Sequence, residues 1–272
     1  MRRDPEAVHR RIADLLRERH EFVVASIAEV KGSCPQRPGA RLLVHPDGSF
    51  EFTIGGGTFE AEVLRDALAA FGEGGTRSCE YRLTKNDLGM YCQGVVKVLF
   101  EHYTPRPRLL IFGGGHVGQA LSKLAAATEV FHVTVVDDRE EFASREKHPT
   151  ADEVLLTDRN FVQNVPESDT STYIAVITRC HATDQLLVKR FLELPRAYLG
   201  LIGSEPKVRQ FRKELMESGI SEQSLGGLYA PIGLPIGGKD PAEVAISILA
   251  EIIQVKNQAR KAAEMLQISR SL

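Results

Sequence analysis

Four apolar residues, Leu109 to Phe112, run straight into Gly113-Gly114-Gly115-His116-Val117-Gly118. This junction limits what the chain can fold into more than any other stretch. Val117, Leu121 and Leu124 then recur at helical spacing. The segment therefore reads as strand, tight turn and helix, with Gly113, Gly115 and Gly118 at G-x-G-x-x-G spacing. Each glycine has a separate physical task. The first allows the turn, the second lets backbone approach a pyrophosphate, and the third lets helix and strand pack closely. The helix N-terminus then faces the anion. A second apolar run, His132 to Val136, ends in Asp137, at about the spacing of an acid that holds a ribose hydroxyl. A glycine turn that merely packs a strand on a helix is the competing reading.

A strand–helix alternation continues from there. Strands are expected at Leu109 to Phe112, Val133 to Val136, Glu153 to Leu156, Tyr173 to Ile177, Ala197 to Ile202 and Leu228 to Ile232. Helices are expected at about Val117 to Ala127, Thr183 to Leu194, Lys207 to Ser218 and Pro241 to Lys261. The last has the clearest start, because Asp240-Pro241-Ala242-Glu243 supplies a cap, a first-position proline and a capping-box glutamate. The stretch from Asp158 to Thr172 shows no convincing helix. This pattern predicts an α/β fold with a Rossmann-like doubly wound parallel sheet in the C-terminal part.

The first hundred residues read differently. A capped helix begins at Asp4-Pro5-Glu6, and Phe22 to Val30 is a strand. Arg41 to Val44 and Ser49 to Ile54 flank a hairpin turn. Gly55-Gly56-Gly57 opens a helix from Thr58 to Phe71, and Thr76 to Leu83 and Val95 to Tyr103 are further strands. Thr104-Pro105-Arg106-Pro107 is stiff and cannot extend a central strand. The boundary is therefore set there, giving a smaller α+β domain over 1–104 and the Rossmann-like domain over 105–272. With 272 residues, 43% of them hydrophobic, both parts have material for a core. The formal net charge of -2 gives no reason to expect nucleic acid or an acidic membrane surface. No run of about 18 apolar residues and no signal-peptide pattern is present, which points to a cytoplasmic protein with reduced thiols.

In a doubly wound sheet the ligand crevice lies where the first and fourth strands end. Thr178, Cys180, His181 and Asp184 directly follow the fourth strand and should stand beside the glycine loop that carries His116. The histidine could donate a proton, touch a ligand or cap a helix. Asp184 also suits a helix N-terminus. Gly203 and Ser204 end the fifth strand, where a phosphate or simple capping would each account for the serine. Gly55, Gly56 and Gly57 form a second potential anion cradle, or else a turn that needs positive φ. Of the four cysteines, Cys34, Cys79, Cys92 and Cys180, none makes a C-x-x-C pair, so no metal site is expected from them. Cys34 sits in a proline-bounded loop near Arg37, and a nearby cation favours thiolate. Cys79 falls in a strand and reads as packing. There is no H-E-x-x-H and no P-loop.

These loops, taken in order, resemble the XdhC/CoxI family, the xanthine dehydrogenase accessory proteins. The resemblance runs through Gly32-Ser33-Cys34-Pro35-Gln36, Thr53-Ile54-Gly55-Gly56-Gly57 with Glu60, and Gly89-Met90 with Cys92 and Gly94. It continues through Gly113 to Gly118, Asp137-Asp138-Arg139, Thr178 with His181 and Asp184, Gly200 with Gly203-Ser204 and Lys207, and Pro231-Ile232-Gly233-Leu234. This chain has Arg179 where the family often has histidine, and Cys92-Gln93-Gly94 where Cys-Gly-Gly is typical. The resemblance implies that molybdenum cofactor (molybdopterin) is bound as cargo, helped to acquire its sulfido ligand, and delivered to a xanthine dehydrogenase-type molybdenum hydroxylase. A cysteine desulfurase as sulfur donor and a homodimer belong to the same expectation. Cys92 is then the first candidate for a functional thiol, ahead of Cys34, with His181 the candidate proton carrier. An NAD(P)-dependent oxidoreductase using Gly113, Gly115, Gly118 and Asp137 stays open as the enzyme alternative.

Overall fold

The computed structural model describes residues 5–34, 36–73, 75–83 and 94–270. The chain divides into two compact units, Met1–Pro105 and Arg106–Leu272. No helix among the described residues is long and apolar enough to cross a membrane.

The first unit runs α1 (Pro5–Arg17), β1 (Phe22–Lys31), β2 (Arg41–Val44), β3 (Phe50–Phe52), α2 (Gly57–Glu73), β4 (Thr76–Arg82) and β5 (Val95–Tyr103). Its strands form one antiparallel sheet in the order β3-β2-β1-β5-β4. Alternation along β1 sorts the side chains between two faces. Val23, Ala25 and Ile27 meet Phe59, Val63 and Ala67 of α2. Phe22 and Val24 meet Leu15 of α1. Such fully buried side chains stabilise by about 1.5–3 kcal/mol each.

The second unit runs β6 (Arg108–Phe112), α3 (His116–Ala127), β7 (His132–Asp137), β8 (Glu153–Leu156), β9 (Thr172–Val176), α4 (His181–Leu192), β10 (Tyr198–Leu201), α5 (Glu205–Glu217), α6 (Glu222–Leu225) and α7 (Pro241–Arg270). All five strands are parallel, in the order β10-β9-β6-β7-β8. The chain thus winds outward from β6 to β8, returns across the sheet, and winds outward again from β9. Strand order reverses between β6 and β9, which is where such sheets open a crevice. Both faces are covered. Leu109 and Ile111 pack with α3 and α7, whereas Leu110 and Phe112 pack with Leu187 and Phe191 of α4 and Phe211 of α5.

Two expectations change here. Leu228 to Ile232 is not a sixth strand: it makes a single parallel bridge, Gly200 to Tyr229. Tyr229 exchanges bonds with Leu199 and Leu201, and Pro231 has no N–H to carry the ladder on. The four-residue α6 went unpredicted because one turn shows no periodicity. The start of α7 follows the capping-box reading. Glu243 reaches back to accept from the N–H groups of Lys239 (3.1 Å) and Asp240 (3.4 Å).

Candidate functional site

The loops after β6 and β9 lie side by side, joined by a hydrogen bond from Ile177 N–H to Phe112 O (2.9 Å). Gly113 adopts φ +116°, and a Cβ on it would stand 2.5 Å from Ile177 O. Only glycine fits that turn. A Cβ on Gly118 would stand 2.0 Å from Gly113 O, which is the close helix packing expected of the third glycine. At Gly115, the N-cap of α3, a Cβ would meet nothing within 4 Å. That position faces open space at a helix N-terminus. His116, the first residue of α3, is exposed.

The middle of the glycine loop is held from behind. A Cβ on Gly114 would strike Phe142 O at 2.7 Å and His148 Nε2 at 2.9 Å. His148 is buried, with Nδ1 3.0 Å from Ser122 Oγ of α3. Burial pushes its imidazole pKa down. Gly114 N–H donates to Asp137 Oδ2 at 2.7 Å.

Asp137 ends β7 as expected, but its carboxylate already has internal work. It is 2% exposed. Arg139 grips both oxygens, Nε to Oδ1 and Nη2 to Oδ2, each at 2.9 Å. The Arg139 N–H adds a third bond at 3.0 Å, and the guanidinium lies 3.7 Å from the centre of the Phe142 ring. Burial alone would raise the Asp137 pKa. The Arg139 guanidinium and the Gly114 N–H outweigh it and hold the carboxyl below its ordinary range. In this structure Asp137 serves as a post that fixes Gly114 and Arg139.

Beside this post lies a cleft of about 190 Å³, lined by Asp137, Asp138, Arg139, Arg159, Phe161, Thr178, Arg179, Cys180 and Thr183. Arg159 reaches it from the loop after β8. Asp158 shapes that loop by accepting the N–H groups of Gln163 (2.7 Å), Val162 (2.8 Å) and Asn160 (3.2 Å). Arg179 pairs with Asp138 at 3.1 Å. Thr178 Oγ1 donates to Asp184 Oδ1 at 2.6 Å. Asp184 is 8% exposed in the first turn of α4, and burial pushes its pKa up to about 6. Arg159 and Phe161 escaped the sequence reading, because no glycine or motif marks a loop shaped by one aspartate.

The remaining expected residues divide. Thr178 and Cys180 line the cleft. His181 does not: its Nε2 lies 2.8 Å from Glu214 Oε2 of α5, and its ring meets Phe211 edge-on. In this structure it ties α4 to α5. Ser204 is the N-cap of α5 by backbone geometry, yet its side chain makes no capping bond. Gly203 stands just before it at the end of β10.

In the first unit the cradle at Gly55-Gly56-Gly57 is filled from within. All three glycines have positive φ. Glu60 Oε2 accepts from the N–H groups of Ile54 (3.0 Å) and Gly56 (3.3 Å) and from the Thr53 hydroxyl. The chain's own carboxylate thus occupies N–H groups of this loop, and the positive φ angles fit the alternative reading of a turn. Cys34 is half-buried against the core of this unit, as is Cys79. Cys92, with Gly89 and Met90, lies outside the described residues. Among the described residues no group of three or more His, Cys, Asp or Glu side chains is placed to hold a metal ion.

Comparison with known proteins accords with this architecture. A family model described as the XdhC Rossmann domain matches residues 109–252, and one described as the XdhC and CoxI family matches residues 15–82. The uncharacterized protein YqeB of Escherichia coli (strain K12) is 36% identical over 241 residues, covering 88% of this chain, and the chain spans only 44% of the length of that relative. A probable xanthine dehydrogenase subunit from Bacillus subtilis (strain 168) is 24% identical, with 92% of this chain and 98% of that protein covered. The molybdenum cofactor insertion chaperone PaoD of E. coli (strain K12) is 26% identical, over 86% and 83%. A crystal structure of a xanthine dehydrogenase from Bacillus halodurans shares the fold at a TM-score of 0.51 and 21% identity, covering 94% of this chain and 96% of that one. With the Rossmann model matching more than half of its length and the second model matching its first unit, the chain belongs to the XdhC and CoxI family.

Proposed function

We propose that this protein is an accessory factor that holds molybdenum cofactor as cargo and hands it to a xanthine dehydrogenase-type molybdenum hydroxylase. The observation that carries the reading is the cleft at the strand-order reversal. The exposed guanidinium of Arg159, beside Arg139 and Arg179 that are already paired with Asp137 and Asp138, suits a phosphate-bearing ligand, and Cys180 adds a soft sulfur to the lining. The open N-terminus of α3 at Gly115 offers further N–H groups to an anion. The name of the PaoD relative supports the same cargo. Sulfuration by a cysteine desulfurase, assembly as a homodimer and residence in the cytoplasm belong to this proposal.

The alternative, an NAD(P)-dependent oxidoreductase, asks Asp137 to accept a ribose hydroxyl. Both of its oxygens are gripped by Arg139, so a dinucleotide would have to displace that guanidinium first. The deciding experiment is mass spectrometry of the ligand released from protein made in a molybdenum-replete host. Molybdopterin with stoichiometric molybdenum is the expected result. Stoichiometric NAD(P) without pterin would overturn the proposal. Co-purification with the hydroxylase and light scattering test the partner and the dimer.

A further inference from the structure

His148 belongs to the connection between β7 and β8, is 1% exposed, and is wedged between α3 and the glycine loop. Its tautomer follows from Ser122. That hydroxyl has one hydrogen and donates it to Gln119 O (3.1 Å), so its oxygen accepts from His148 Nδ1–H (3.0 Å). Nε2 then carries a bare lone pair. Buried as it is, it meets no hydrogen-bond partner among the described residues. It shares the space at Gly114 with Phe142 O: the two atoms stand 2.9 Å and 2.7 Å from where a Cβ on that glycine would be. A buried acceptor crowded by a carbonyl is an uncompensated cost. A proton on Nε2 would make it a donor, and the carbonyls of Gly114 and Phe142 favour that form, but a cation would then be held out of water. Few charges face the ring. Asp137 at the end of β7 attracts the proton, yet Arg139 already grips that carboxylate. Ser122, the contact on α3, is uncharged, and Arg145 of the same connection is turned to the carbonyls of Ala151 and Asp152. Burial therefore wins, and the closed arrangement holds the imidazole neutral.

We infer that His148 is an acid-sensitive latch: the neutral ring clamps the β7–β8 connection against α3 and the glycine loop, and uptake of a proton at Nε2 releases that connection into water. The ring prefers the proton less when closed than when open. The closed state is therefore fully stable above the ordinary imidazole range near pH 6.5, and that stability is lost as pH falls below it. A ring kept neutral when closed and free to titrate when open makes opening easier by up to about tenfold at pH 5.5 relative to pH 7.5. Opening withdraws the support behind Gly114, and with it the fixed aim of the N–H groups at the start of α3. The inference stands apart from the cargo reading, because it concerns the frame behind the glycine loop and its test needs no bound ligand.

The test is hydrogen–deuterium exchange of the full-length, ligand-free protein at pH 7.5, 6.5 and 5.5, corrected for intrinsic exchange rates. Within the connection, the N–H groups of Phe142 and Ala143 donate to Arg139 O, that of His148 to Ser144 O and that of Ala151 to His148 O, so these amides report its opening. Their protection should fall several-fold between pH 7.5 and 5.5, within the tenfold bound, while the β6 peptide Leu109–Phe112 keeps its own. His148→Gln cannot take up the proton and should make the protection of the connection independent of pH. No fall in the wild type, or the same fall in the variant, overturns the latch. Should His148→Gln not fold, NMR titration of the wild-type ring decides. The ring should protonate below pH 6.5 with the Gly114 amide shifting at the same midpoint, and a midpoint at or above 6.5 overturns the inference.

Discussion

Asp184 is a buried carboxylate held by a single hydroxyl, and its replacement by asparagine has a calculable consequence. Burial raises its pKa from 3.8 to about 6, with Thr178 and the charge of His181 opposing. A raised acid pKa means that the folded state binds the proton more tightly than the unfolded chain. Stability from this group is therefore fully present below pH 3.8 and is lost as pH rises through about 6. The two pKa values give a contribution of about 2 kcal/mol at pH 4, about 1 kcal/mol at pH 5 and essentially none at pH 7.5. Asp184→Asn removes the titration but keeps the size and an acceptor for Thr178. Its fixed cost, a new buried N–H pair, is the same at every pH. The assay is equilibrium urea unfolding of wild type and variant at pH 4, 5 and 7.5, read on the transition of the Arg106–Leu272 unit. The gap between the two proteins should shift by about 1 kcal/mol in favour of the variant from pH 5 to 7.5. A gap that is flat across this range would show that Asp184 has an ordinary pKa, and the reasoning from burial would fail.

Three further outcomes follow from the geometry. Gly118→Ala places a Cβ 2.0 Å from Gly113 O and should cost about 3 kcal/mol or more, on the order of a severe overpacking; Gly115→Ala, with open space around it, should leave the melting temperature within about 2 °C. Glu60→Ala removes the acceptor of Ile54 and Gly56 N–H and should cost about 1–3 kcal/mol in urea unfolding of the first unit, with Glu60→Gln recovering part; an unchanged midpoint would mean that water replaces the carboxylate. Arg139→Ala leaves Asp137 buried without its cation and should cost about 2–4 kcal/mol at pH 7. The lowered pKa of Asp137 gives stability that is present above pH 3.8 and lost on acidification; without Arg139 that contribution is missing, so the variant's deficit should narrow as the pH falls below that range.

What was legible in the sequence was what local chemistry decides. The β6–α3 turn is written in Gly113 and Gly118, because backbone approaches there leave no room for a Cβ. The start of α7 is written in Pro241 and Glu243. The parallel sheet follows from apolar runs separated by helical ones. What stayed hidden depends on partners far along the chain. His181 looks like a crevice residue until Glu214, 33 positions later, is folded against it. Arg159 looks like a solvated loop arginine until Asp158 bends that loop toward the cleft. Leu228 to Ile232 looks like a strand, because an apolar run reads the same whether its pairing extends into a ladder or stops at a single bridge, as it does here at Tyr229.

The two glycine loops share a design that separates folding from ligand binding. A string of glycine N–H groups attracts an anion, and in each loop the chain supplies one itself: Glu60 at Gly56 and Asp137 at Gly114. Neither loop therefore needs a ligand to be held in shape, and Asp137 is held in turn by Arg139. Among the described residues of the second unit, the groups left for a ligand are few. They are the α3 N-terminus at Gly115, the guanidinium of Arg159, and the thiol and hydroxyl of Cys180 and Thr183. A preorganised frame lowers the ordering cost of binding, while a small set of free contacts limits the total affinity. For a carrier of the proposed kind that balance favours release. The client would have only to outcompete one guanidinium, one helix end and the thiol and hydroxyl beside them, and the carrier would not unfold when the cargo leaves.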